Sequence, residues 1–88
     1  MTSKERARLR SLASAEDTII QIGKAGITQN VIASVDAALS ARELIKGKVL
    51  ESSMLTAREA CEQLAEALLA EPVQAIGTKF VLYRKKPE

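Results

Sequence analysis

Two glycines three residues apart, with a lysine between them, are the residues of this chain whose types and spacing best fit a chemistry: Gly23-Lys24-Ala25-Gly26. That chemistry is the holding of a phosphate. Glycine leaves backbone N–H groups uncovered, and the lysine adds a positive charge at the tip. The stretch joins a β-branched run, Thr18-Ile19-Ile20-Gln21-Ile22, to an amphipathic helix that Thr28 is placed to cap. Free N–H groups and the helix dipole favour an anion at such a start. The spacing alone is equally that of a plain strand-to-helix turn, where glycines serve only the backbone. It is neither the nucleotide P-loop, which needs four residues between its glycines and Lys-Ser/Thr after them, nor the dinucleotide Gly-x-Gly-x-x-Gly fingerprint.

Other chemistries find little support. Cys61 is the sole cysteine and histidine is absent. A disulfide within the chain, a His-dependent triad and a conventional zinc site are therefore excluded. Cys61 reads as a packed thiol. No carboxylate pair with an evident pocket, metal cluster or activated nucleophile is visible, so an enzyme is the poorest reading. No cofactor, metal or small-molecule substrate is expected. No apolar run reaches the ~18 residues of a membrane span. The opening Met1-Thr2-Ser3-Lys4-Glu5-Arg6 is too polar for a secretory signal, and a cytoplasmic location is expected.

Charge is modest in sum, +2, and uneven in place. Lys4, Arg6, Arg8 and Arg10 oppose Glu5 at one end, and Lys79, Arg84, Lys85 and Lys86 oppose Glu88 at the other. Glu51, Glu59, Glu62, Glu66 and Glu71 oppose Arg58 between them. If both basic ends fold to one side, they make a cationic face with an acidic back. The same pattern also describes a solvated surface with no partner.

Eighty-eight residues make one domain, spanning 1–88, able to bury roughly 60–65% of its unfolded surface. The elements that must position the loop read as follows. Thr2-x-x-Glu5 predicts a capping box and a helix over Ser3–Ser14, with Leu9, Leu12 and Ala13 on one face. A strand follows at Thr18–Ile22. A second helix runs from Thr28 to Ala41 with Val31, Ile32, Val35, Ala38 and Leu39 as its stripe. Glu43–Leu50 is a strand, with Ile45, Gly47 and Val49 on one face and Leu44, Lys46, Lys48 and Leu50 on the other. Gly47 inside it signals a bulge or a close backbone neighbour. The box Thr56/Glu59 opens a helix over Ala57–Ala70, with Ala60, Cys61, Leu64, Ala67 and Leu68 inward and Pro72 as its stop. Val73–Ile76 and Phe80–Tyr83 form a hairpin around a Gly77-Thr78 type II′ turn. Residues 85–88 are expected to fray. The predicted class is α/β, in the order α-β-α-β-α-β-β, with a four-stranded mixed sheet. Each β-α-β unit is expected to pair its strands in parallel.

Aromatics argue against a stacking platform. Only Phe80 and Tyr83 are present, on opposite faces of one strand. RRM and OB-type surfaces stack bases on several rings. Phe80 reads as core, and Tyr83 as either edge packing or a surface contact. A Gly-x-x-Gly loop clamps backbone nucleotides in KH domains and carries little base information itself.

Gln21-Ile22-Gly23-Lys24-Ala25-Gly26-Ile27-Thr28, followed by Asn30-Val31-Ile32, resembles the signature of the CRM domain, named for chloroplast RNA splicing and ribosome maturation. Glu43-Leu44-Ile45-Lys46, Val73-Gln74-Ala75-Ile76-Gly77, Phe80-Val81-Leu82-Tyr83-Arg84 and the opening Arg6-Ala7-Arg8-Leu9-Arg10-Ser11-Leu12-Ala13 agree as well, in the same order. The chain is most similar to the bacterial stand-alone, YhbY-like members. The resemblance implies an RNA-binding protein that associates with precursors of the large ribosomal subunit. It also implies a fold similar to the C-terminal domain of translation initiation factor three, and an RNA contact at Gly23, Lys24, Ala25 and Gly26. Ser14 and Arg42 stand where many relatives carry histidine, and Gly47 where an aliphatic residue is usual.

The expected site is then Gly23, Lys24, Ala25, Gly26 and Thr28 as the clamp, with Arg6, Arg8, Arg10, Lys46, Lys48, Arg84, Lys85 and Lys86 as diffuse attraction. RNA is the expected partner, ribosomal or within a large-subunit precursor. An adaptor that docks an acidic protein on the basic face is the alternative, and a duplex-DNA binder is a weaker third.

Overall fold

The computed structural model describes residues 1–86. Three helices and four strands follow in the expected order: α1 (Ser3–Ala13), β1 (Thr18–Ile22), α2 (Gln29–Arg42), β2 (Leu44–Val49), α3 (Ala57–Leu68), β3 (Glu71–Ile76) and β4 (Lys79–Tyr83). They build one four-stranded mixed sheet of order β1-β2-β4-β3.

One pairing differs from expectation. β1 and β2 are parallel neighbours, but β2 and β3 are not neighbours at all. β4 lies between them and is antiparallel to both. The reason is burial. Phe80, Val81 and Leu82 are all buried, so β4 needs cover on both faces and a partner on each edge. The tight Gly77-Thr78 turn delivers it there. Gly77 has φ 60 and Thr78 does not share that region, as a II′ turn requires. β3 becomes an edge strand, and so can admit Pro72 next to a bulge.

The two faces of the sheet are covered unequally. α2 and α3 close one face, where Ile22, Val35, Leu39, Ile45, Leu64, Phe80 and Leu82 are almost wholly buried. Each such side chain contributes roughly 1.5–3 kcal/mol of burial. Gly47 sits directly opposite Phe80 in the central β2–β4 pair. A Cβ on Gly47 would penetrate the Phe80 ring, so the glycine answers to an aromatic side chain and not to the bulge or close backbone expected there. The other face carries only α1, which buries Leu9 and Ala13 against Leu44, Val73 and Val81, with Tyr83 half-buried beside them. One helix cannot span four strands, and part of this face stays open.

Several local expectations need correction. Leu12 is 50% exposed, because α1 touches the sheet along a narrow stripe. At Thr2 the box is only half made: its hydroxyl oxygen accepts from Glu5 N–H at 3.1 Å, but the hydroxyl, not the backbone, donates to the Glu5 carboxylate. Thr56 and Glu59 form the full reciprocal box. Ala67 is exposed, and Ala57 and Ala65 are buried in its place, since the apolar stripe of α3 is centred between Leu64 and Leu68. Pro72 does not end α3. Leu69 does, at φ 54, with Ala70 N–H closing onto Ala65 O. Ser14 and Glu43 fall outside their elements as C-caps, while α2 runs one residue longer, to Arg42. The tail is held at Lys86, whose N–H donates to Glu43 Oε2 at 2.8 Å. Pro87 and Glu88, also expected to fray, lie outside the described residues.

Candidate nucleic-acid interface

Gly23–Gly26 closes as a β-turn, with Gly26 N–H donating to Gly23 O at 3.0 Å. Lys24 and Ala25 form its exposed tip. Gly26 has φ 72, a left-handed conformation in which a side chain is strained. A Cβ there would enter open space, whereas one on Gly23 would rest in ordinary contact with Leu50 and Ser52. Thr28 then caps α2, its Oγ1 accepting from Val31 N–H at 3.2 Å. Ile27 and Ile32 pack on the core on either side of the cap, as a hydrophobic staple does. Among the described residues nothing accepts from the N–H groups of Gln29 and Asn30. The first turns of α1 and α3 hold Glu5 and Glu59, but that of α2 holds no acid. An anion meets no like charge there.

The turn lies at the end of the sheet where β1, β2 and β3 finish and β4 begins. Leu50 N–H donates to Ile22 O, and Val49 N–H to Thr78 O, tying these ends together. One step back from that edge, Gln21 pairs with Lys48, Lys48 with Lys79, and Lys79 with Ile76, a row crossing all four strands. Lys46 lies one register step behind, opposite Val81. Alternation puts Lys46, Lys48 and Lys79 on the α1 side, next to the part of the face that α1 leaves bare. Arg10, in the last turn of α1, borders the same area.

Among the described residues these cations have no carboxylate partner. Glu16 and Asp17 lie exposed in the α1–β1 turn, and Glu51 lines a recess with Lys48. Among the described residues none of them forms an ion pair with Arg10, Lys46, Lys48 or Lys79.

The remaining predicted contacts are placed elsewhere. Arg6 borders a groove at the β3 edge with Arg58 and Val73. Arg8 is exposed on α1. Arg84 leaves the far end of β4 and turns to the closed layer. It donates to Leu68 O at 3.2 Å, to Asp36 O at 3.1 Å and to Ser40 Oγ at 2.9 Å, and it pairs with the Asp36 carboxylate at 2.8 Å. Lys85 and Lys86 lie with it, on exposed chain at that far end. The two basic ends meet only in part: Lys79 shares the α1 face and Lys85 lies by Met1 and Glu5 at the start of α1, but the Arg84 guanidinium departs to the other layer. Lys79 was legible as a basic residue but not as a site residue. Its signal is the β2–β4 register that sets it against Lys48, which no local pattern encodes.

Cys61 is buried, and its thiol lies 3.7 Å from Val81 O. Desolvation, helped by the neighbouring Glu62 carboxylate, raises its pKa from 9.0 to about 11, against a smaller lowering by the Val81 hydrogen bond. Such a thiol is protonated and inert at neutral pH. Among the described residues no group of acidic, Cys or His side chains is arranged to hold a metal ion, and no helix is long and apolar enough to cross a membrane.

Comparison with known proteins agrees with this architecture. The Bacillus subtilis (strain 168) protein named Probable RNA-binding protein YqeI is 38% identical over 88 residues, covering 100% of this chain and 92% of its own. An RNA-binding protein of Haemophilus influenzae is 32% identical, again over the whole of this chain and 89% of its own. The solution structure of the hypothetical protein SAV1595 from Staphylococcus aureus, a candidate RNA-binding protein, superposes with a TM-score of 0.83 at 45% identity, covering 100% of this chain and 92% of that one. Residues 1–84 match the CRS1 / YhbY (CRM) domain, and with its whole-length relatives and fold neighbour in agreement, the chain belongs to that family.

Proposed function

We propose that this chain is a non-enzymatic RNA-binding protein that grips a sugar-phosphate backbone at the Gly23–Gly26 turn, and that its RNA belongs to precursors of the large ribosomal subunit. Relatives along its whole length carry RNA-binding names, which supports the first part. The observation that carries the grip is the exposed turn itself. It joins a lysine tip to an acid-free helix start, at the same end of the sheet as Lys48 and Lys79. Lys24 supplies a phosphate partner. The Gln29 and Asn30 N–H groups supply hydrogen bonds to phosphate oxygens. Arg10, Lys46, Lys48 and Lys79 supply the surrounding attraction. Arg84 is assigned to the fold, since its guanidinium is already bonded to α2 and α3.

The test is fluorescence anisotropy with single-stranded RNA across a salt series. Affinity is expected to fall with a slope of about −0.7 per neutralised phosphate, and a flat response refutes the reading. Gly26→Asn keeps a residue that tolerates left-handed backbone but fills the open space. It should fold and lose affinity. Lys24→Ala should lose about fivefold. The ribosomal part is tested by sedimentation of the tagged protein with large-subunit precursors, before and after ribonuclease. Co-sedimentation with another protein that survives ribonuclease points instead to an acidic protein partner.

A further inference from the structure

The open part of the α1-side face is not flat. Between the last turn of α1 and the sheet lies a cleft of about 150 Å³, a space on the scale of one nucleobase. Its floor is apolar, from Ala13 and Val81, and its outer wall is Ile76. Ile76 is 67% exposed, on an edge strand that otherwise presents polar or small residues to solvent. Its rim is polar and cationic: Arg10, Lys46, Gln74 and Lys79. Gln74 and Val81 are direct cross-strand partners, which fixes the Gln74 side chain on this face.

We propose that this cleft receives one unstacked RNA base from the strand gripped at Gly23–Gly26, an inference that rests on the RNA-binding reading above. The chemistry matches piece by piece. A base is flat and apolar on its faces and carries donors and acceptors on its edge. Ile76 and Val81 offer apolar contact, and the planar Arg10 guanidinium can lie over a ring. The Gln74 amide presents both a donor and an acceptor to the base edge. Lys46 and Lys79 stand where the flanking phosphates would pass. Strand rise and spacing put the Gly23 backbone roughly 12 Å from Lys79, a span that a few nucleotides of one strand cover. A protein with no aromatic platform thereby acquires a place to read sequence, while the turn reads none.

The test is anisotropy with RNA strands of about eight nucleotides, a length within the range that small single-strand-binding domains such as OB folds hold. The strands are uridine, cytidine and adenosine homopolymers and an abasic ribose-phosphate strand of equal charge. The best homopolymer is expected to bind about tenfold tighter than the abasic strand. Gln74→Ala and Ile76→Ala should each shrink that preference, with salt slope and melting temperature unchanged. Lys24→Ala should weaken all strands alike and keep the preference. Equal binding of homopolymers and abasic strand, with a normal salt slope, overturns the cleft and leaves the backbone grip standing. So does a preference that survives both cleft variants. Failure of every strand to bind overturns both.

Discussion

The two faces of this one sheet obey different rules. On the face closed by α2 and α3, polar groups are satisfied and apolar ones are packed. Arg84 reaches Asp36, Ser40 and Leu68, and Phe80 fills the space that Gly47 vacates. On the face that carries α1 alone, Lys48 and Lys79 stand directly opposite each other with no carboxylate between them. Like charges paired across strands cost roughly 0.2–1 kcal/mol. A fold that only had to be stable would gain by removing that pair. The lesson is that positive charge in the sequence does not say where it is spent: Arg84 is bonded into the fold, whereas Lys48 and Lys79 form no ion pair among the described residues.

The contrast can be broken by substitution. Gly47→Ala drives a methyl into the Phe80 ring in the middle of the sheet and should cost about 3 kcal/mol, read by urea denaturation. Arg84→Ala strips the guanidinium from two helix carbonyls, Ser40 and a half-exposed carboxylate, and should cost roughly 2 kcal/mol. RNA affinity measured below its melting transition should be unchanged. If Arg84→Ala instead leaves stability intact and abolishes binding, the division between the faces is wrong.

The closed face also predicts a pH response. The folded-state pKa of Cys61 lies above its unfolded value of 9.0, at about 11, so the folded chain holds its proton more tightly. Its contribution to stability is complete below pH 9 and is lost as pH rises toward 11, by on the order of 2 kcal/mol. Cys61→Ala should flatten that alkaline decline. An unchanged pH profile in the variant would show that another group governs it.

The smallest stability effect belongs to the open face. Lys48→Ala combined with Lys79→Ala should raise stability by a few tenths of a kcal/mol through relief of repulsion. The same pair should weaken RNA binding and reduce the salt slope by about 1.4, two phosphates at about 0.7 each. Loss of stability together with unchanged binding would reverse the assignment of this face.

How much of this was legible beforehand depends on the range of the interaction. The Gly23–Gly26 turn, the Thr28 cap and the Thr56/Glu59 box were readable because each is decided within a few residues. So was Phe80 as core, which the structure buries completely. The pairing of β2 with β4 was not readable, because strand order is chosen by which faces can be buried together across the whole chain. Ala67 and Leu12 were misplaced for a related reason: a helix stripe can be read to within one residue, but its width is set by what it packs on.

The sequence by itself determined the elements, their order and the glycine turn, since hydrogen bonding, capping and backbone freedom act locally. Only the tertiary structure decided which cations stand together. Inserting β4 beside β2 brings Lys79 to Lys48, and the short reach of α1 leaves them bare. Arg84, equally basic in the sequence, is carried to the far end of the same strand and spent on the fold.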